Sequence, residues 1–411
     1  MEKGYSIPII DISKETHRQV IIDREADVYL GHPTVALLDD KQTMIIVYPK
    51  SHGNGQIVMK RSTDGGLNWS ERLNVPDNWS TSLEVPTIYK VNDKNGVQRL
   101  IMFSGLKPIR MAYSEDSGET WTPLMSIGSF GGVTVMGDIE CVGDGKYIAL
   151  FHDDGRFMGN CDTQMSEVFR TGTGADMRTK IQYRNKLPDG TWGEPTGGWI
   201  KPSTREGDEW VKVHTSFNDD FYEDKRFILY QTESDDGGLK WKYPRVIATH
   251  PTAQICEPAI IRSPDGKQLT VLMRENTRKH NGFRIYSDDN GETWSEPIEM
   301  PGALTGDRHC SQYLPDGRLF ISFRDTTLGS PTWGDWVAWV GTYDDIVNNR
   351  EGQYRVRIME NFGKPDCAYP TVDILADGTI FTSTYGHWTQ GEPPYIVGVR
   401  FKINELEELL K

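Results

Sequence analysis

Apolar residues in this chain come in short runs, each about six residues long, and the runs are paired across polar turns. An apolar stretch beginning His32-Pro33-Thr34-Val35 leads to Asp40, Val85-Pro86-Thr87-Ile88 leads to Asp93, and Asp138-Ile139-Glu140-Cys141 leads to Asp144-Gly145. The same pattern returns as Glu257-Pro258-Ala259-Ile260 before Asp265-Gly266, Arg308-His309-Cys310 before Asp316-Gly317, and Tyr369-Pro370-Thr371-Val372 before Asp377-Gly378. A second apolar run follows each turn. Asp-Gly between two such runs is a strong hairpin signal, so six β-hairpins are predicted, recurring along the whole length.

A second turn signature, Ser-x-Asp-x-Gly-x-x-Trp, appears four times: Ser62/Asp64/Gly66/Trp69, Ser114/Asp116/Gly118/Trp121, Ser234/Asp236/Gly238/Trp241 and Ser287/Asp289/Gly291/Trp294. Its chemistry is that of a tight turn between antiparallel strands. The Asp side chain bonds backbone amides, the Gly takes a positive φ, and the Trp buries a large ring against a neighbouring sheet. Asp64 lies 52 residues before Asp116 and Asp236 lies 53 before Asp289, which is the length of a four-stranded sheet. Such periods indicate a ring of sheets. The expected fold is all-β, a six-bladed β-propeller forming one domain over 1–411, closed by a strand near Ser6 to Ile10 or Gln19 to Ile22.

The interval from Asp116 to Asp236 is 120 residues, leaving an excess of about 67 inside blade three. This insertion, residues 155–226, carries a small hairpin at Leu187-Pro188-Asp189-Gly190-Thr191-Trp192. Long insertions in compact folds serve function more often than not, and a lid over one face is expected. Near the C-terminus, Asn404 to Lys411 reads as a short helix.

Aligning the six hairpins places His32, Val85, Met136, Glu257, Arg308 and Tyr369 at one equivalent position, the start of an inner strand. A second column, where the next strand ends, holds His152, Arg274, Arg324 and Tyr385. Polar groups left unpaired at such positions cost about 1–3 kcal/mol each. Both columns fall at the same rim of a propeller, so they converge on one central depression.

Composition narrows what that depression does. With 45 Lys and Arg against 59 Asp and Glu, the net charge is −14, which repels phosphate and argues against nucleic acid or an acidic membrane surface as partner. Five Cys without a CxxC pair suggest neither disulfides nor a zinc site. No nucleotide, dinucleotide or metal motif occurs, so no cofactor and no metal are expected. No apolar run is long enough to span a membrane, and Met1-Glu2-Lys3-Gly4 opens without a signal-peptide core. The compartment stays unread.

Ala368-Tyr369-Pro370-Thr371, with Asp377-Gly378-Thr379 and Thr384-Tyr385, resembles the segment holding the tyrosine nucleophile of the sialidase (neuraminidase) superfamily, whose repeats are Asp-box, or BNR, turns of the kind described above. Cys256-Glu257-Pro258 with Met273-Arg274 resembles the segment of its partner glutamate and of one arginine that clamps the substrate carboxylate. Phe323-Arg324 resembles another. The resemblance implies a retaining exo-glycosidase with Tyr369 as nucleophile and Glu257 as its partner, binding a terminal acidic sugar of a glycan. In blade one the family's first arginine is replaced by Leu30-Gly31-His32-Pro33, and its acid/base loop by Ser51-His52-Gly53. Arg308 is then the candidate replacement in the clamp, His52 or His32 the proton carrier, and His152, Asp153 and Tyr385 further substrate contacts. Two alternatives stand beside hydrolysis: a polysaccharide lyase using His or Tyr as base, and a carbohydrate-binding propeller without catalysis.

Overall fold

The computed structural model describes residues 4–158 and 227–411 throughout, and within 159–226 the stretches 163–172, 178–185, 193–194, 196–197 and 207–213 with residues 187, 189 and 191. Six antiparallel sheets stand around one axis. Their innermost strands, Thr34–Leu37, Pro86–Asn92, Val133–Gly143, Ile255–Arg262, Gly306–Tyr313 and Thr371–Ile374, each touch the next, and the sixth touches the first. This is the six-bladed ring that the hairpin count predicts.

Each Ser-x-Asp-x-Gly-x-x-Trp turn is built alike. Ser62 Oγ donates to Asp64 Oδ1 at 2.9 Å while accepting from the Gly66 amide at 2.9 Å, and Asp64 Oδ1 accepts from the Asn68 amide at 2.9 Å. The Gly118, Gly238 and Gly291 amides donate to Ser114, Ser234 and Ser287 in the same way. The tryptophans reach back to the preceding blade: Trp241 packs edge-on against Phe103 at 5.5 Å between ring centroids, and Trp294 donates to Gln231 at 2.9 Å. The turns therefore stitch blade to blade as well as strand to strand.

The N-terminal segment closes the ring in two places. Gln19–Asp23 pairs antiparallel with Tyr395–Phe401 and completes blade six, whereas Ile9–Asp11 runs parallel along Tyr354–Met359 at the edge of blade five. Covering both edges removes the exposed strand that an open ring would present. Blade five has a short helix, Tyr343–Val347, where earlier blades have the Trp turn; Thr342 and Asp345 cap it reciprocally. The tail helix is Ile403–Glu408, shorter than the sequence suggests. Blade one keeps three strands, since only the Ser70 and Leu73 amides bond back to its edge.

Between Asp153 and Ile228, the strands Thr163–Thr171, Arg178–Asn185, Thr196–Gly197 and Val211–Val213 form a four-stranded sheet of their own. Half of the expected lid over 155–226 lies outside the described residues, as does half of the Leu187 to Trp192 hairpin.

Candidate active site

Where the inner strands begin, the backbone takes an unusual turn. His32, Glu257 and Arg308 have φ of 52°, 51° and 53°, and Ala368, just before Tyr369, has 57°. Left-handed backbone at a non-glycine residue costs on the order of 1–3 kcal/mol and persists where the surroundings enforce it. In blades four and five the strand register also shifts at this point, between Cys256 and Ala259 and between Asp307 and Cys310. Such bulges re-aim side chains. Thr134 in blade three has φ of 53° as well, so five of the six blades turn their backbone where the first strand begins.

The result is an open cavity of about 530 Å³ lined by His32, His52, Glu84, His152, Glu257, Arg274, Arg324, Tyr369 and Tyr385, among others. At its floor the Tyr369 hydroxyl donates a short hydrogen bond to Glu257 Oε1. Arg274 Nη1 donates to the same oxygen at 2.7 Å, and Glu257 Oε2 has no partner. Burial would raise the Glu257 pKa, but the Arg274 guanidinium, the Tyr369 hydrogen bond and Arg324 together outweigh it and hold the carboxyl below its ordinary value. Burial, reinforced by the Glu257 charge, pushes the Tyr369 phenol well above its ordinary value. The pair is therefore a neutral phenol against a carboxylate, aligned for proton transfer.

A second cluster forms the adjoining wall. The His32 ring lies 4.5 Å from both the Tyr369 and Tyr385 rings and 4.9 Å from that of His52. Tyr385 Oη lies 3.2 Å from His32 Nε2 and donates at 3.2 Å to Asp366, which also accepts from Tyr29 at 2.9 Å. His52 Nε2 and His387 Nε2 approach the same carboxylate at 3.7 and 3.5 Å. Burial opposes charge on Asp366, yet the His387 bond and the neighbouring His52 and His32 keep it ionised far below the usual range. Burial lowers the pKa of His52 and, more strongly, of His32.

Asp307, fully buried, ties the arginines together. It accepts from Arg278 Nη1 and Nη2 at 2.6 and 2.7 Å and from Arg324 Nε and Nη2 at 2.9 and 2.8 Å, and it meets Arg274 Nε at 3.3 Å. Arg274 Nη2 donates to Asn276 at 2.7 Å, and Arg324 Nη1 to the carbonyls of Pro365 and Cys367 at 2.9 and 3.0 Å. Despite burial, the Asp307 pKa is driven down by Arg274, Arg324 and Arg278 together.

Not every residue singled out in the sequence reaches the cavity wall. Arg308 lies below, its Cζ 5.9 Å from the Tyr369 ring centroid, and opens into a smaller space with Tyr89 and Asp138; its Nη1 is buried without a partner. Asp153 accepts from the Phe157 and Met158 amides at 3.1 and 3.0 Å and so folds the loop that follows it. Its neighbour Asp154 lines the cavity in its place. His152 is on the wall, accepting from the Glu257 amide at 3.4 Å, with its pKa lowered to about 4 by burial. Asp307, Asp366 and Glu84 escaped the sequence reading; each directly precedes or nearly precedes a column residue, and that adjacency was the available signal. Glu84 is buried at the rim and pushed up to about 7 by desolvation. Among the described residues, no cluster of His, Cys, Asp and Glu is arranged to hold a metal, and no helix is long and apolar enough to cross a membrane.

The family model of the BNR repeat-like domain matches residues 187–327, about a third of the chain. No curated protein sequence matches. A solved protein of unknown function from Dyadobacter fermentans is 15% identical, with a TM-score of 0.56 over 93% of this chain and 97% of that one. A Hadza microbial sialidase is 12% identical, with a TM-score of 0.50 over 92% of this chain and 66% of its own. The Trypanosoma rangeli sialidase is 13% identical with a TM-score of 0.49, and this chain, 94% covered, spans 57% of its length. At these identities the likeness is one of fold. In fold the chain is a six-bladed β-propeller similar to these proteins, and residues 187–327 carry a BNR repeat-like domain.

Proposed function

We propose that this protein is a retaining exo-glycosidase of the sialidase-like kind, with Tyr369 as nucleophile and Glu257 as its base. The observation that carries the reading is the hydrogen bond from the Tyr369 hydroxyl to Glu257 at the floor of an open cavity. A phenol whose pKa is raised by burial is almost never ionised at neutral pH, so it attacks carbon only as its proton leaves. Glu257, kept ionised by Arg274, receives that proton. The phenolic oxygen bonds the anomeric carbon while the glycosidic C–O bond breaks, and the departing oxygen takes a proton from His52 on the adjoining wall. Water then surrenders a proton to His52, displaces the tyrosine oxygen from the sugar, and Glu257 returns its proton to the phenol. Two displacements at one carbon restore its configuration. Tyrosine nucleophiles are a known exception to the two-carboxylate glycosidase scheme.

Asp366 lies 3.7 Å from His52 Nε2 and favours its protonated form, and a His has a pKa suited to carrying protons near neutrality. The test is turnover of aryl glycosides by purified Tyr369→Phe, with the fold checked by circular dichroism. Release should fall by at least about 10³-fold, the scale lost when a nucleophile is removed; undiminished turnover removes Tyr369 from the mechanism. Acid quenching of the wild type during turnover should trap a sugar adduct on Tyr369, visible by mass spectrometry. An unsaturated, ultraviolet-absorbing product would instead mean elimination by a lyase.

A further inference from the structure

An acidic sugar is what the family resemblance implies, yet the arginines that would grip its carboxylate are already answered from within. Both terminal nitrogens of Arg274 donate to internal acceptors, Nη1 to Glu257 and Nη2 to Asn276, while Nε lies 3.3 Å from the Asp307 carboxylate without a hydrogen bond. Every guanidinium nitrogen of Arg324 is engaged, with Asp307 on Nε and Nη2 and two backbone carbonyls on Nη1. A guanidinium holds a carboxylate through two parallel N–H donors, and on Arg324 that paired edge already carries Asp307. Single hydrogens remain, enough for hydroxyl groups.

Charge follows the same logic. Around the wall, Arg156, Arg274, Arg278 and Arg324 face Asp154, Glu257, Glu84 and Asp307, the last shared by three of the arginines. A substrate carboxylate entering here would lose its hydration and meet arginines that internal carboxylates already engage, which is a costly burial. Arg308, whose Nη1 is unpartnered, sits beneath the Tyr369 ring and outside this wall.

We infer that Asp307 is a specificity-determining residue: by occupying the arginine clamp from inside, it sets the cavity to receive an uncharged terminal sugar in place of an acidic one. The inference rests on the glycosidase reading for its choice of ligand class, but it concerns binding and is measured as binding.

The experiment is calorimetric titration of the wild type, Asp307→Asn and Asp307→Ala with N-acetylneuraminic acid, beside a panel of neutral aryl glycosides. The wild type should bind a neutral glycoside and leave the acid unbound, and the variants should gain about tenfold or more in affinity for the acid as guanidinium donors are released. Saturable binding of the acid to the wild type, failure to bind any neutral glycoside, or no gain in folded variants would each overturn the inference. If both substitutions prevent folding, the two wild-type titrations decide it alone. Release of an acidic sugar by the wild type sinks the inference and leaves hydrolysis standing. The predicted binding contrast without any turnover does the opposite.

Discussion

At the scale of single residues, the cavity is defined by what burial does to each titratable group. His52, half exposed, has its pKa lowered by desolvation more than Asp366 raises it. In its proposed role as acid to the leaving group it works only while protonated, so kcat/KM should fall as pH rises through a value below the ordinary 6.5. A second fall is expected at the acid end, where Glu257 takes up a proton below its usual range. A pH–rate profile checks both limbs, and His52→Asn should abolish the upper one. His152 gives a stability prediction. Its folded pKa, about 4, is below that of the unfolded chain, so its contribution is complete above about 6.5 and is lost as pH falls toward 4. Thermal unfolding of wild type against His152→Gln across that window should show the wild type losing more.

Within the elements, the turns make the most exacting demands. Gly66 has φ of 83°, and a Cβ there would stand 2.4 Å from the Phe381 ring in the neighbouring blade. Gly66→Ala therefore combines backbone strain with a clash and should destabilise by about 2 kcal/mol or more, read from denaturant unfolding. Ser62→Ala leaves the buried Gly66 amide without its acceptor and should cost about 1–3 kcal/mol. The positive φ of Gly66 and the acceptor of its amide are local, each within one turn, and so they were readable in the residues themselves; the contact with Phe381 was not. The left-handed start of the inner strands was not. Its residues, His32, Glu257 and Arg308, are of types that prefer other backbone conformations, and only packing around the axis imposes it.

Across the whole molecule, the ring depends on its ends. Removing residues 1–23 would strip Gln19–Asp23 from Tyr395–Phe401 and Ile9–Asp11 from Tyr354–Met359. Two exposed strand edges should then lower the melting temperature and promote aggregation, measured by thermal shift and light scattering. The same closure brings Tyr369 against Glu257, which are 112 residues apart in sequence, and so the site is a property of the ring and not of any blade.

What the chain announced unaided was its architecture, because turn chemistry and apolar alternation act over a few residues and repeat. The columns at the rim followed from that repetition, and with them His32, Glu257, Tyr369, Arg274 and Arg324 on one cavity. Which donors remained free to bind a substrate was decided only in three dimensions. Asp307 and Asp366 look in the sequence like ordinary loop acids. Folding sets one among Arg274, Arg278 and Arg324 and the other among Tyr29, Tyr385, His52 and His387. Charge compensation across blades depends on distances of a few ångströms between segments that no spacing rule relates, and this is why the motif alone did not tell which arginine donors are already engaged.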